Sequence, residues 1–257
     1  MSGIARAVPV LGLVGGVGSG KSFVAASLAA RRNVAVIAAD PIGHEVLKRS
    51  SVKAQVRQHF GDQVFAPDGE IDRPRLGALV FGDEPAVQSR RRQLEAITHP
   101  EITREVQRRI DDCQSRPGLE AIVIDAALLL EAGWQSLCDH RVFVESRWAD
   151  RQQRVAQSRG WSAEELTRRE ASQWPLERKR AACDAVVHNT APGLAVAELE
   201  AWLDAWRDGW PRAATANGGD PGKRVQAAFG ETAVPVPSTP ELIARTSESG
   251  GSDGNAP

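Results

Sequence analysis

Residues 15–22 read Gly-Gly-Val-Gly-Ser-Gly-Lys-Ser, a full match to the pattern G-x-x-x-x-G-K-[ST]. Glycine frees consecutive backbone N–H groups from side-chain bulk, so that they converge on phosphate oxygens. A helix starting there adds the positive end of its dipole. Lys21 supplies a point charge to the outer phosphates, and the Ser22 hydroxyl is a candidate ligand for Mg²⁺. Lysine is scarce in this chain, 5 against 27 arginines, yet one stands at the motif position. Nucleotide phosphate binding is the expectation.

Further groups have the right types to complete such a site. Asp40 follows a short apolar run, where a carboxylate could accept the proton of an attacking hydroxyl. It fits the N-cap of a helix starting at Pro41 equally well. Asp125 ends another apolar run and suits either a water-mediated Mg²⁺ contact or a strand-end cap. Glu131 closes the sequence ALLLE and faces either a crevice or solvent. Arg147, Arg151, Arg154 and Arg159 recur ahead of Gly160-Trp161, the composition of a mobile lid that presents guanidinium to phosphate. An ordinary solvated arginine face accounts for most of them, with Arg154 and Arg159 the stronger candidates. His99-Pro100 marks either a donor or a kink.

These residues need a scaffold, and the apolar pattern supplies one. Val8–Val14, Val34–Ala38, Ala121–Ile124, Arg141–Val144 and Ala185–His188 read as short buried strands. Ser22–Arg32, Pro41–Phe60, Pro85–Cys113, Leu166–Cys183 and Gly193–Trp210 read as helices between and after them. The alternation predicts an α/β fold, a parallel sheet with helices on both faces. In such a sheet the carboxyl end of a strand adjacent to the first faces the same crevice as the glycine loop, which is where Asp40 is expected. The helical block between strands two and three is too long for a simple crossover and predicts an insertion over one sheet edge. Trp202, Trp206 and Trp210 recur every fourth residue, a core stripe on the last helix.

Composition narrows the function. Hydrophobic residues make up 42% of the 257 and charged ones 25%, a globular enzyme's balance. With 32 basic residues against 33 acidic ones, no overall field points to nucleic acid or an anionic membrane. There is no tyrosine, which excludes a tyrosine acid or nucleophile. Three cysteines without a C-x-x-C pair, and histidines without metal-ligand spacing, argue against disulfides and a zinc site and fit a reducing cytoplasm. No apolar run reaches the ~18 residues of a membrane span, and the glycine-bearing stretch Val8–Val17 reads as mature structure. Residues 211–257 hold 7 Gly and 6 Pro with a single aromatic, which predicts a disordered tail after a domain spanning 8–210.

The uses of a phosphate loop can also be sorted. Neither the base-reading N-K-x-D of a GTPase nor the Asp-Glu strand end of a motor ATPase occurs. An early loop with a helical insertion suits a small-molecule kinase, whose acceptor needs its own lobe. A nucleoside or nucleotide kinase and a non-catalytic nucleotide-dependent binding protein are the alternatives.

Several ordered motifs, taken together, resemble the dephospho-CoA kinase family. They are GLVGGVGSGKS at 12–22, AAD at 38–40, DGEIDRPRLGALVF at 68–81 and RRRQLEAITHPEI at 90–102, then IVIDAALLLEAG at 122–133, RVAQSRG at 154–160 and VVHNTAP at 186–192. The resemblance implies a P-loop nucleotide-kinase fold with a helical CoA-binding insertion near 60–115 and a lid near 147–175. It implies ATP-dependent phosphorylation of the ribose 3′-hydroxyl of dephospho-CoA, giving CoA and ADP, in the cytoplasm. Carried onto this sequence, Gly18, Ser19, Gly20, Lys21, Ser22 and Phe23 hold ATP phosphates and Asp40 is the base. Arg73, His99, Leu128 and Glu131 lie toward dephospho-CoA, Arg154 belongs to the lid, and Asn189 lies near the adenine. Lys21 and Arg154 join Asp40 as catalytic groups, with Ser22 and Asp125 on the metal side. The sequence departs from the family pattern at Ala38, Phe23, Ala127 and His188, where Asp, Thr, Pro and Asp are usual.

Overall fold

A computed structural model describes residues 8–209, apart from Phe81 and Asp83. The expected tail at 211–257 and the third tryptophan of the stripe, Trp210, lie outside the described residues. Five strands form one parallel sheet: β1 (Val10–Val14), β2 (Val34–Ala38), β3 (Ala121–Asp125), β4 (His140–Glu145) and β5 (Ala185–His188), in the spatial order β2-β3-β1-β4-β5. Every pairing between neighbours is parallel, with Leu13 opposite Asp125 and Ala38 opposite Asp125 from the other side. The strand order differs from the expected one. The strand that leads to Asp40 is not adjacent to β1, because β3 is inserted between them. Asp125 therefore stands next to the phosphate loop, and Asp40 one strand further out.

Strand alternation divides the core in two. Val10, Val14, Ile122, Ile124 and Phe143 face one layer, packed by α2 (Ala39–Val46), α3 (Ser50–Phe60), α4 (Arg73–Val80) and α5 (Pro85–Gln114). Leu11, Leu13, Val123, Val142 and Val144 face the other, packed by α1 (Lys21–Ala29) and α9 (Leu194–Gly209). Trp202 and Trp206 lie in that second layer, as the helical spacing predicts. Gly12 sits mid-strand because a Cβ there would meet Cys138 Sγ at 2.7 Å and Leu129 Cδ1 at 2.8 Å.

Two expected helices are each broken. Pro41–Phe60 divides into α2 and α3 at 47–49, and the start moves back to Ala39. Ile42 and Val46 form one apolar pair, and Val52, Val56 and Phe60 a second series, all of them buried. The six residues from Val46 to Val52 would rotate the second stripe by ~120° on a continuous helix. The break returns both stripes to the same core, with extended Arg49 as the new N-cap. Likewise 166–183 divides into α7 (Ala163–Ala171) and α8 (Leu176–Ala181). Pro175 disfavours helical geometry at Trp174 and stands at the N-cap of α8. Between β4 and α7 lies α6 (Trp148–Arg159), which carries the arginine series.

No helix among the described residues is long and apolar enough to cross a membrane. The helical elements between β2 and β3, α2 through α5, pack on one face of the sheet, against residues of β1, β2, β3 and β4, rather than over a single edge.

Candidate active site

The glycine loop turns out of β1 and enters α1 with Gly20 as the N-cap. Two positions require glycine outright. Gly18 has φ 74°, and a Cβ there would press on Val155 and on the Arg151 carbonyl at 2.9 Å. Gly20 has φ 88°, and a Cβ there would collide with the Asn189 amide. The loop is therefore packed from behind by α6 and by the turn after β5.

Arg154 makes that packing specific. Its Nη1 donates to the carbonyls of Gly18 (3.2 Å) and Ser19 (3.3 Å) and to Ser146 Oγ, while Nη2 donates to the Asn189 carbonyl. Arg151, one helical turn earlier on the same face, is buried, pairs with Glu170 and donates to the Val17 carbonyl. Lys21 Nζ donates to the carbonyls of Gly15 (3.2 Å) and Gly16 (3.1 Å). Burial lowers the Lys21 pKa to about 8, against the opposing pull of Asp125, and the nearby Lys179 ammonium lowers it further. The loop thus carries cations fixed by its own backbone.

A cavity of about 620 Å³ opens in front of the loop. Gly18, Ser19, Gly20, Lys21, Ser22 and Phe23 line it, together with Asp40, Asp125, Leu128 and Arg154. These ten residues, all singled out from the sequence, therefore share one space, and Arg159 lines it as well. Asp40 lies in the first turn of α2, exposed to the cavity, and Ala38 rather than Asp40 is the N-cap residue. The capping alternative for Asp40 is thereby removed. Phe23 is 64% exposed, a large aromatic at the rim.

Four other residues stand elsewhere. Asn189 is buried behind the loop, its amide donating to the Ser19 carbonyl at 2.8 Å. Glu131 pairs with the buried Lys179 ammonium at 2.9 Å and accepts from the Trp174 backbone N–H. Arg73 is exposed at the start of α4, with Nη2 2.7 Å from His44 Nε2. His99 is half-buried within α5, which runs on through Pro100 while Thr103 Oγ1 donates to the His99 carbonyl. None of these four side chains lines the cavity.

The structure also adds residues that the sequence reading passed over. Arg91, Arg168, Arg169 and Gln173 line the same cavity, beside Trp161 and the expected lid residue Arg159. Lys179 is 1% exposed and bonds Gln173 Oε1 as well as Glu131. The scarcity of lysine that marked Lys21 would have marked Lys179 too. Spacing of three along a helix would have paired Arg151 with Arg154.

Ser22 and Asp125 offer two oxygen ligands to one space, and no cluster of three or more His, Cys, Asp or Glu among the described residues could hold a metal. That donor set fits Mg²⁺, which keeps several waters and takes its remaining ligands from substrate phosphates. It does not fit zinc, which takes three or four His, Cys or carboxylate ligands from the protein.

The sequence model of a family described as dephospho-CoA kinase matches residues 9–193. A dephospho-CoA kinase of Rhodopirellula baltica is 39% identical over 187 residues, 72% of this chain and 84% of the relative. One from Bacillus thuringiensis subsp. konkukian is 36% identical over 181 residues, 70% of this chain and 88% of the relative. Among solved structures, a Thermus thermophilus protein superposes with a TM-score of 0.65 at 30% identity, covering 77% of this chain and 98% of its own. A dephospho-CoA kinase from Campylobacter jejuni shares the fold with a TM-score of 0.56 at 22% identity, over 78% of this chain and 98% of its own. A glycine loop, two carboxylates and arginines around one cavity, on a sequence matched from end to end of the sheet, place this chain in the dephospho-CoA kinase family of ATP-dependent phosphotransferases.

Proposed function

We propose that this chain transfers the γ-phosphoryl group of ATP to the ribose 3′-hydroxyl of dephospho-CoA, giving CoA and ADP, through the residues that line the cavity. The observation that carries the residue assignment is the convergence of Lys21, Asp40 and Asp125 on one space at the carboxyl ends of β1, β2 and β3. The loop N–H groups from Gly18 to Phe23 and the dipole of α1 bind the donor's phosphates. Asp40 accepts the proton of the acceptor hydroxyl, whose oxygen forms the new bond to phosphorus as the bond to the bridging β,γ-oxygen breaks. Lys21 offsets charge that develops on the transferring group and on the leaving ADP. Ser22 and Asp125 would hold Mg²⁺, which supplies charge neutralisation on the phosphates when bound.

Arg154 keeps the loop in shape through its bonds to the Gly18 and Ser19 carbonyls. Its Nε–H and one Nη2–H remain for phosphate. Asn189, bonded to Ser19, supports the same loop from the base side. Glu131, held by Lys179, fixes the segment that carries Leu128 into the cavity. Arg73 and His99, on the helical insertion of residues 60–115, belong to the acceptor's lobe, and 147–175 forms the lid. Cys113, Cys138 and Cys183 are not joined by disulfides, and burial pushes the Cys183 thiol up to about 12, which suits a reducing cytoplasm.

A coupled ADP-release assay with dephospho-CoA, adenosine and AMP as acceptors tests the reading. Turnover confined to dephospho-CoA is expected. Turnover with adenosine or AMP but not dephospho-CoA would replace this reading with a nucleoside or nucleotide kinase.

A further inference from the structure

Among the cations that line the cavity, two groups differ in how they are held. Lys21 and Arg154 are bonded to the phosphate loop itself. The second group surrounds Trp161, the residue after Gly160, at the turn between α6 and α7. Gly160 takes φ 67°, which ends α6 and turns the chain so that the half-buried Trp161 reaches the cavity. The Arg159 guanidinium lies 4.7 Å from the Trp161 ring centroid and that of Arg169 lies 4.1 Å from it. Both arginines line the cavity beside the indole.

The two guanidinia differ in what else holds them. Arg169 also pairs with Glu165 at 2.7 Å. Among the described residues no carboxylate pairs with Arg159, which rests on the ring. A guanidinium attracted to an aromatic ring is held in place, and its donors can still serve an anion. Without the ring, Arg159 would have the full rotamer freedom of an exposed arginine to lose on binding.

We infer that Trp161 is a positioning residue, which holds Arg159 and Arg169 over the cavity as an anion subsite for the diphosphate of the acceptor. This rests on the functional reading above. That reaction brings two polyphosphate chains into one cavity. The phosphate loop, with its own cations, accounts for the donor. The arginines around Trp161 make no hydrogen bond to that loop and are left for the second chain. An ordinary phosphate-loop site needs no tryptophan there, so the indole is the part of the arrangement that can be removed selectively.

The test is steady-state kinetics on the full chain with ATP and dephospho-CoA, for Trp161→Leu, Trp161→Phe and Arg159→Gln. Trp161→Leu is expected to raise KM for dephospho-CoA by about fivefold, with kcat and KM for ATP within about twofold of wild type. Trp161→Phe keeps an aromatic face and should restore most of the acceptor KM. Arg159→Gln should reproduce the raised acceptor KM with the indole intact, which keeps the test alive should Trp161→Leu fail to fold. A rise in KM for ATP equal to or larger than that for dephospho-CoA would overturn the assignment in favour of the donor. An unchanged acceptor KM in both Arg159→Gln and a folded Trp161→Leu would remove the subsite. Wild-type protein inactive on dephospho-CoA would instead overturn the functional reading itself, a failure visible before any variant is measured.

Discussion

On the phosphate-loop side of the cavity, Lys21 donates to the Gly15 and Gly16 carbonyls and Arg154 to those of Gly18 and Ser19. On the side formed by α6 and α7, Arg159 rests on an indole, and Arg168 and Arg169 share Glu165. The first set is fixed by backbone oxygens, the second by other side chains at an exposed turn. Fixed charges aimed at a transferring phosphoryl group need no reorganisation during reaction. Charges carried by side chains can change partners as a lid closes and a substrate arrives. Substitutions on the loop side should therefore appear in kcat, and those on the other side in KM.

The largest effect should come from the loop. Lys21→Ala is expected to lower kcat by about 10³-fold with the fold intact by circular dichroism. A loss under tenfold would mean that the loop's backbone, not its lysine, carries the charge stabilisation. Next in size is Lys179→Met, which leaves Glu131 without its buried partner at 2.9 Å. Removing one half of a buried pair costs about 3 kcal/mol, to be read as a lower denaturation midpoint. An unchanged midpoint would show that the Glu131 segment is held by Trp174 alone.

Asp40→Asn comes third, with kcat falling by about 10² while ATP binding by calorimetry stays near wild type. Equal kcat would reject Asp40 as the base and shift attention to Asp125 across the cavity. Because Asp40 caps nothing, its replacement should leave thermal stability nearly untouched. That separates it from Lys179→Met, whose effect is on stability first.

The two sides of the cavity also differ in how legible they are in the sequence. The loop side follows a contiguous pattern, eight residues between a strand and a helix, so its geometry is local and readable. Asp40 and Asp125 were legible as strand-end carboxylates, but the order of the strands was not, because β3 enters between β1 and β2 from more than eighty residues away in the chain. The breaks at 47–49 and 172–175 depend on which core each apolar stripe must reach. Arg151 with Glu170 and Lys179 with Glu131 are pairs between distant segments. No local pattern encodes them, and the arginine-rich composition hid Arg151 among its neighbours.

The effect expected to be smallest on catalysis lies on α5, in the helical layer over one face of the sheet. Glu105 on α5 accepts from Arg108, Arg109 and Arg49, and the Arg108 hydrogen bond leads in lowering its pKa to about 2, against the cost of its burial. A carboxylate depressed on folding contributes stability above its unfolded pKa of ~4.3. That contribution is lost as pH falls through the folded value. The melting temperature should hold steady from neutral pH down to ~5 and then decline towards pH 2. Glu105→Gln should lower the neutral-pH melting temperature and flatten that decline, since it removes the titrating group. A decline equally steep in Glu105→Gln would assign acid lability to other carboxylates and leave this cluster as packing. Catalysis offers the sharper contrast. Glu105 lies outside the cavity, so the variant's kcat at neutral pH should match wild type, and a lower one would mean that α5 transmits its packing to Arg91 at the cavity wall.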